Sequence, residues 1–256
     1  MPKNSNYIAN GIIVHNSGAC IDCRSEDELD KKVFVIDLDG SATPIKEAFF
    51  ADDDNVIVVD PFELDSEGEI DWVATYERTV EICKYLRRHE AELNLKAVVL
   101  DGLDTLLKDC EIRMRIHDLK MKKDSLQKID TFDWQYRNAA YLLVVRLIKG
   151  MKCHRFYTTH MKELKGWVPA PGGGKTLGVL GEKPNWESST PNLMFQKLFL
   201  EKSENKKILT WTATVEKCKG HSELEGKKYT VMKVDRDKEE VEWFGIKEFL
   251  KDCGGA

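Results

Sequence analysis

The chain has 256 residues, 32% of them charged and 42% hydrophobic, with a formal net charge of −5. No apolar run approaches the roughly 18 residues of a membrane-spanning helix, and the segment around Lys3 lacks the apolar stretch of a secretory leader, so a cytoplasmic chain without a membrane partner is expected. Seven scattered cysteines suit a reducing compartment rather than a disulfide framework, and Cys20-x-x-Cys23 has no second pair to complete a zinc site.

In chain order, Asn10-Gly11 supplies a turn and the apolar run Gly11 to Val14 a strand, followed by His15-Asn16-Ser17. Val33 to Asp37 and Val56 to Asp60 are short, β-branched runs ending in Asp, the pattern of strands buried on both faces. From Asp71 to about Glu92, Trp72, Tyr76, Val80, Cys83 and Leu86 recur at the 3-and-4 spacing of an amphipathic helix. Ala97 to Asp101 is a third buried strand, Trp134 to Ile148 a long apolar helix, and Phe156 to His160 a fourth strand. Strands alternating with helices imply right-handed crossovers and a mostly parallel sheet. Gly166 to Thr190, rich in Gly and Pro, is expected to be a mobile loop. Leu198 to Leu200, Ile208 to Val215, Tyr229 to Val234 and Val241 to Phe244 follow as strands without a long helix between them, an antiparallel extension of the sheet. Ligands bind at the carboxyl ends of strands in open α/β sheets, so Asp39, Asp60, Asp101 and His160 are expected near one crevice; Asp60 reads more simply as a turn or helix-capping residue.

The ordered set from Tyr7 to Ser17 resembles the C-terminal end of an intein and the first residue after it. That resemblance implies that Asn16 attacks its own backbone carbonyl through its side-chain amide, forming a succinimide and breaking the Asn16–Ser17 bond. His15 would donate a hydrogen bond to the scissile carbonyl, and Ser17 would be the hydroxyl nucleophile that accepts the upstream segment as an ester. Many family members carry His before the Asn-aromatic pair, where this chain has Ser5. The partner implied is an upstream fragment carrying the rest of the intein.

Beyond Ser17 the chain resembles the RecA-like ATPases, particularly the phage single-strand annealing and recombination members. Val98-Val99-Leu100-Asp101 is similar to their Walker B strand, whose Asp holds Mg²⁺ through water, and Ile36-Asp37-Leu38-Asp39-Gly40 is similar to the family's Asp-Thr-Glu-Gly element, with Asp39 where the family usually has the water-orienting Glu. Thr158-Thr159-His160 resembles the strand ending in a sensing Gln, with His160 in that position. Val215-Glu216-Lys217-Cys218-Lys219 resembles the element that reaches a neighbouring subunit's ATP, which implies a homo-oligomer with Lys217 and Lys219 stabilising phosphoryl charge in trans. Solvated strand-edge charges are the simpler reading of both lysines.

The phosphate loop G-x-x-x-x-G-K-[ST] of such an ATPase does not occur. Gly172-Gly173-Gly174-Lys175-Thr176 has Pro169 where the first glycine belongs and follows the Asp101 strand, whereas a phosphate loop precedes it. Inteins commonly interrupt phosphate loops, so Ser17 would also be the loop hydroxyl that binds Mg²⁺, with the first helix from Gly18 and the first strand and Gly-Lys on the upstream fragment. The expected organisation is an intein segment over 1–16 and a RecA-like α/β domain over 17–256, with a parallel part to 195 and a mostly β part from 196. The expected cofactors are ATP and Mg²⁺.

Single-stranded DNA is the expected macromolecular partner. Trp167, Lys175 and Trp186 lie in the loop after the sensor strand, where aromatics could stack on bases, and Lys108 to Lys128 holds seven Lys/Arg against four Asp/Glu. An ordinary hairpin and a solvated helix face are the simpler readings. Two alternatives stand beside the recombination ATPase: a DnaB-like helicase domain, and a fragment inert alone because half a phosphate cradle holds no ATP.

Overall fold

The computed structural model describes residues 7–9, 12–14, 17–122, 125, 127–169, 173–205, 207–238 and 240–254. A hairpin of β1 (Tyr7–Ala9) and β2 (Ile12–Val14) pairs antiparallel, Tyr7 opposite Val14. His15 and Asn16, the residues expected to cut the chain, lie outside the described residues. Then come α1 (Ser17–Ile21), β3 (Lys32–Asp37), α2 (Ala42–Phe49), β4 (Val56–Val59), α3 (Trp72–Arg88), β5 (Leu95–Asp101), α4 (Leu103–Arg113), α5 (Trp134–Lys149) and β6 (His154–Tyr157).

The four strands β4–β3–β5–β6 pair parallel in that order. Their apolar runs are continuous because both faces are covered. Val33, Val35, Ala97 and Val99 face α1, α2 and a second sheet; Ile36, Val98 and Leu100 face α3, α4 and α5 through Val80, Leu106 and Val144. The expected helix from Asp71 is present: the Asp71 carboxylate accepts the N–H groups of Val73 and Ala74, both at 3.0 Å, which caps α3. It stops at Arg88, short of Glu92, because the chain turns through Asn94 in the left-handed region (φ 51°) to enter β5.

Three sequence expectations are corrected. Gly166 to Thr190 is no simple loop: β7 (Met161–Pro169) and β8 (Lys175–Pro184) form a long antiparallel ribbon, and α6 (Thr190–Leu193) follows. Its glycines are packing devices, since a Cβ on Gly166 would collide with Leu180 and one on Gly178 with Val168. The last strands, β9 (Gln196–Asn205), β10 (Ile208–Cys218), β11 (Lys228–Asp235) and β12 (Glu240–Trp243), form their own antiparallel sheet, ordered β12–β11–β10–β9, and do not extend the parallel one. Leu209, Trp211, Ala213 and Val231 share a core with Val33 and Val99, so this sheet covers a face rather than lengthening an edge. A short α7 (Lys247–Asp252) follows. Finally, β6 ends at Tyr157, so Thr158 to His160 leave the strand. No helix among the described residues is long and apolar enough to cross a membrane.

Candidate functional site

Register sets the site. β3 and β5 are adjacent with Asp37 opposite Asp101, and both strands end there. Gly102 follows in a left-handed conformation (φ 102°) that turns the chain into α4 and lets the backbone pass close to Asp39. On the near side α1 is pressed against β12: a Cβ on Gly18 would strike the Trp243 ring, so the small residues after Ser17 let this helix seat.

Ser17 is fully buried and its hydroxyl donates to Asp101 Oδ2 at 2.6 Å. Ser41 donates to the same oxygen at 2.7 Å and its Oγ lies 3.0 Å from that of Ser17, while Thr158 donates to Oδ1. The Asp101 carboxylate is 1% exposed and held by three hydroxyls. Burial, and after it the negative charge of Asp39, push its pKa up to about 6, with the hydroxyls pulling the other way.

Asp37, Asp39 and Asp101 each bring an oxygen within 4.8 Å of the others. Their surroundings separate their roles. Asp37 accepts the N–H groups of Ser41, Ala42 and Thr43 and the Thr43 hydroxyl, so it secures the start of α2. Asp39 accepts one N–H, from Ser41 at 3.1 Å, and its Oδ2 stands 3.9 Å from His160 Nε2. The other ring nitrogen of His160 lies 3.0 Å from Asp104 Oδ2. That hydrogen bond raises the imidazole above its ordinary range, against the opposing effect of burial.

Ser17, Asp39 and Asp101 are hard oxygen donors of the kind magnesium takes. A divalent cation among them would offset the repulsion between two carboxylates that lifts Asp101. The donor set therefore fits Mg²⁺. It does not complete a nucleotide cradle, which needs backbone N–H groups and a lysine ahead of the serine.

The structure thus brings together Ser17, Asp39, Asp101 and His160. Asp60 stands apart: its carboxylate accepts the Phe62 N–H at 2.8 Å, the turn role that its sequence context favoured. Lys217 donates to the Pro191 carbonyl at 2.6 Å and the Lys219 ammonium lies 5.5 Å from the centre of the Phe195 ring, so both serve the segment ahead of β9. A role in trans requires no contact between these lysines and Asp101 within one chain. Trp167 on β7 is 69% exposed and Lys175 opens β8, both on the ribbon. Trp186 lies past the ribbon, half-buried against the α3–α5 core with Lys197 over its ring at 5.6 Å. Three of the seven cations in the basic stretch are spent internally: Arg113 pairs with Asp118, Arg115 with Glu111, and Lys108 sits over Trp72, while Lys120, Lys122 and Lys128 are exposed.

Three residues of the site were not anticipated. Ser41 and Thr158 bond Asp101, and Asp104 bonds His160. The first two carry no sequence signal beyond being hydroxyls near strand ends. Asp104, three residues after Asp101, had one: an acid in the first turn of the helix that follows the strand. No protein-family model matches the chain, and no curated protein matches it.

Proposed function

We propose that residues 17–256 are the C-terminal part of an ATP-dependent, RecA-like recombination or annealing ATPase, and that an intein ending at Asn16 interrupts its phosphate loop. Splicing with an upstream fragment would complete it. One observation carries the reading. Ser17, picked out by a splice-junction pattern, donates at 2.6 Å to Asp101, picked out independently as the acid ending a buried strand 84 residues on. A phosphate-loop hydroxyl and a Walker B acid need that juxtaposition.

In the joined protein Ser17 and Asp101 would hold Mg²⁺, which supplies positive charge against the phosphoryl oxygens. Asp39, carrying fewer hydrogen bonds than Asp37, accepts a proton from the attacking water and orients it. His160 Nε2, 3.9 Å from Asp39, stands where the protonated ring can donate to a developing phosphoryl oxygen. Burial of the Asp101 carboxylate keeps bulk water from competing for the cation. Trp167 and Lys175, projecting on the ribbon, would stack on bases and meet phosphates of single-stranded DNA. Lys217 and Lys219 would act toward a neighbouring subunit of a ring or filament.

Mixing the chain with its upstream fragment and measuring phosphate release tests the ATPase reading. Magnesium-dependent hydrolysis by the joined protein is expected. A joined protein that hydrolyses no ATP overturns it.

A further inference from the structure

We propose that Asp104 is the positioning residue for His160, fixing which ring nitrogen faces the acidic cluster; the inference builds on the ATPase reading above. Asp104 sits in the first turn of α4, immediately past the end of β5, and His160 lies just past the end of the neighbouring strand β6. Two main-chain bonds tie these ends together. The Thr158 N–H donates to the Leu100 carbonyl at 3.1 Å, and the Leu103 N–H donates to the Thr158 carbonyl at 2.8 Å.

The Asp104 carboxylate then engages His160 twice. Oδ2 lies 3.0 Å from ring Nδ1, and Oδ1 lies 3.4 Å from the backbone nitrogen. A carboxylate can only accept, so Nδ1 carries the hydrogen. Gripping both backbone and ring of one residue fixes the ring's rotation as well as its tautomer. Nε2 is consequently the nitrogen turned to Asp39, at 3.9 Å. Asp104 acts through His160: its two carboxylate oxygens are engaged by that residue, on the side of the ring away from Asp39. A helix-start acid serving only the α4 dipole would stabilise the helix but leave the imidazole tautomer untouched, and that difference makes the inference testable.

The experiment uses the full chain with ¹⁵N-labelled histidine, and the joined enzyme, for wild type, Asp104→Ala and Asp104→Asn. Long-range nitrogen–proton NMR reads the His160 tautomer above its titration. Wild type should show hydrogen on Nδ1; Asp104→Ala should move it predominantly to Nε2, and so should Asp104→Asn, whose one acceptor oxygen serves the backbone N–H while its amide N–H₂ faces Nδ1. In the joined enzyme Asp104→Ala should lower kcat by about 10- to 100-fold, the scale of a misplaced catalytic group, with KM for ATP little changed, and Asp104→Asn should fail to restore it. Should Asp104→Ala fail to fold, Asp104→Ser, which keeps a helix-starting hydroxyl but is too short for the ring contact, carries the same comparison. An unmoved tautomer, or an unmoved kcat in an active enzyme, overturns the proposal. A tautomer that moves as expected in a chain whose wild-type joined product hydrolyses no ATP leaves the positioning in place and removes the ATPase reading.

Discussion

Asp109, on the buried face of α4, offers a stability test that needs no assumption about function. Its side chain is 0% exposed, both carboxylate oxygens lack a hydrogen-bond partner, and Arg113 Nε beside it is also unmatched. Burial pushes its pKa from the ordinary 3.8 up to about 8, with Arg113 opposing. The folded value lies above the unfolded one, so the folded chain holds a proton that the unfolded chain releases. The contribution of Asp109 to stability is therefore fully present below about pH 4, falls as pH rises toward 8, and levels beyond it. Each pH unit in that window costs about 1.36 kcal/mol, so about 4 kcal/mol is lost by pH 7. Asp109→Asn keeps the shape of the neutral acid and cannot ionise. It should match wild type near pH 4 and exceed it by about 4 kcal/mol at pH 7, equivalent to a Tm about 8 to 16 °C higher for a chain of this size. Urea unfolding of both proteins at pH 4.5, 5.5 and 7 reads the difference directly. A gap that stays constant across that range, or an Asn variant no more stable at pH 7, refutes the reasoning.

The three acids at the strand ends should separate cleanly. Asp37→Asn should lower stability by about 1 to 2 kcal/mol, the scale of a lost helix cap, seen by thermal melting, while the joined enzyme keeps its turnover. Asp39→Asn should do the reverse, leaving the melting curve near wild type and removing most ATP hydrolysis. Asp101→Asn should abolish hydrolysis in the joined protein; full activity would count against its place at the cation. The two tryptophans should also divide. Trp167→Ala should weaken single-stranded DNA binding by about 1 to 3 kcal/mol per stacked base, measured by fluorescence anisotropy at fixed salt, whereas Trp186→Ala should cost folding stability instead.

Legibility in the sequence followed the physics of each segment. The parallel strands were readable because burial on both faces leaves near-continuous β-branched runs such as Val56-Ile57-Val58-Val59. The Asp71 helix was readable because its cap and apolar spacing agree. The ribbon was misread because Gly166 and Gly178 look like loop residues, and their purpose, making room for Leu180 and Val168 across the strands, exists only once the pairing is known. Separation of the last four strands into a second sheet depends on which face they cover, a tertiary choice that local pattern does not encode. At the site, strand-end position identified Asp39, Asp101 and His160, but sorting Asp37 from Asp39 required seeing where their hydrogen bonds go. Asp104 and Ser41 matter through partners distant in sequence, His160 and Asp101, and spacing alone does not reveal such pairs.

The central claim is that Ser17 is a splice junction placed inside a phosphate loop. Intact-mass spectrometry of the chain mixed with its upstream fragment tests it most directly. The expected result is a joined product that carries residues 17–256 behind the upstream Gly-Lys, with residues 1–16 released on the intein. A chain that keeps its full mass, with the Asn16–Ser17 bond intact, contradicts it.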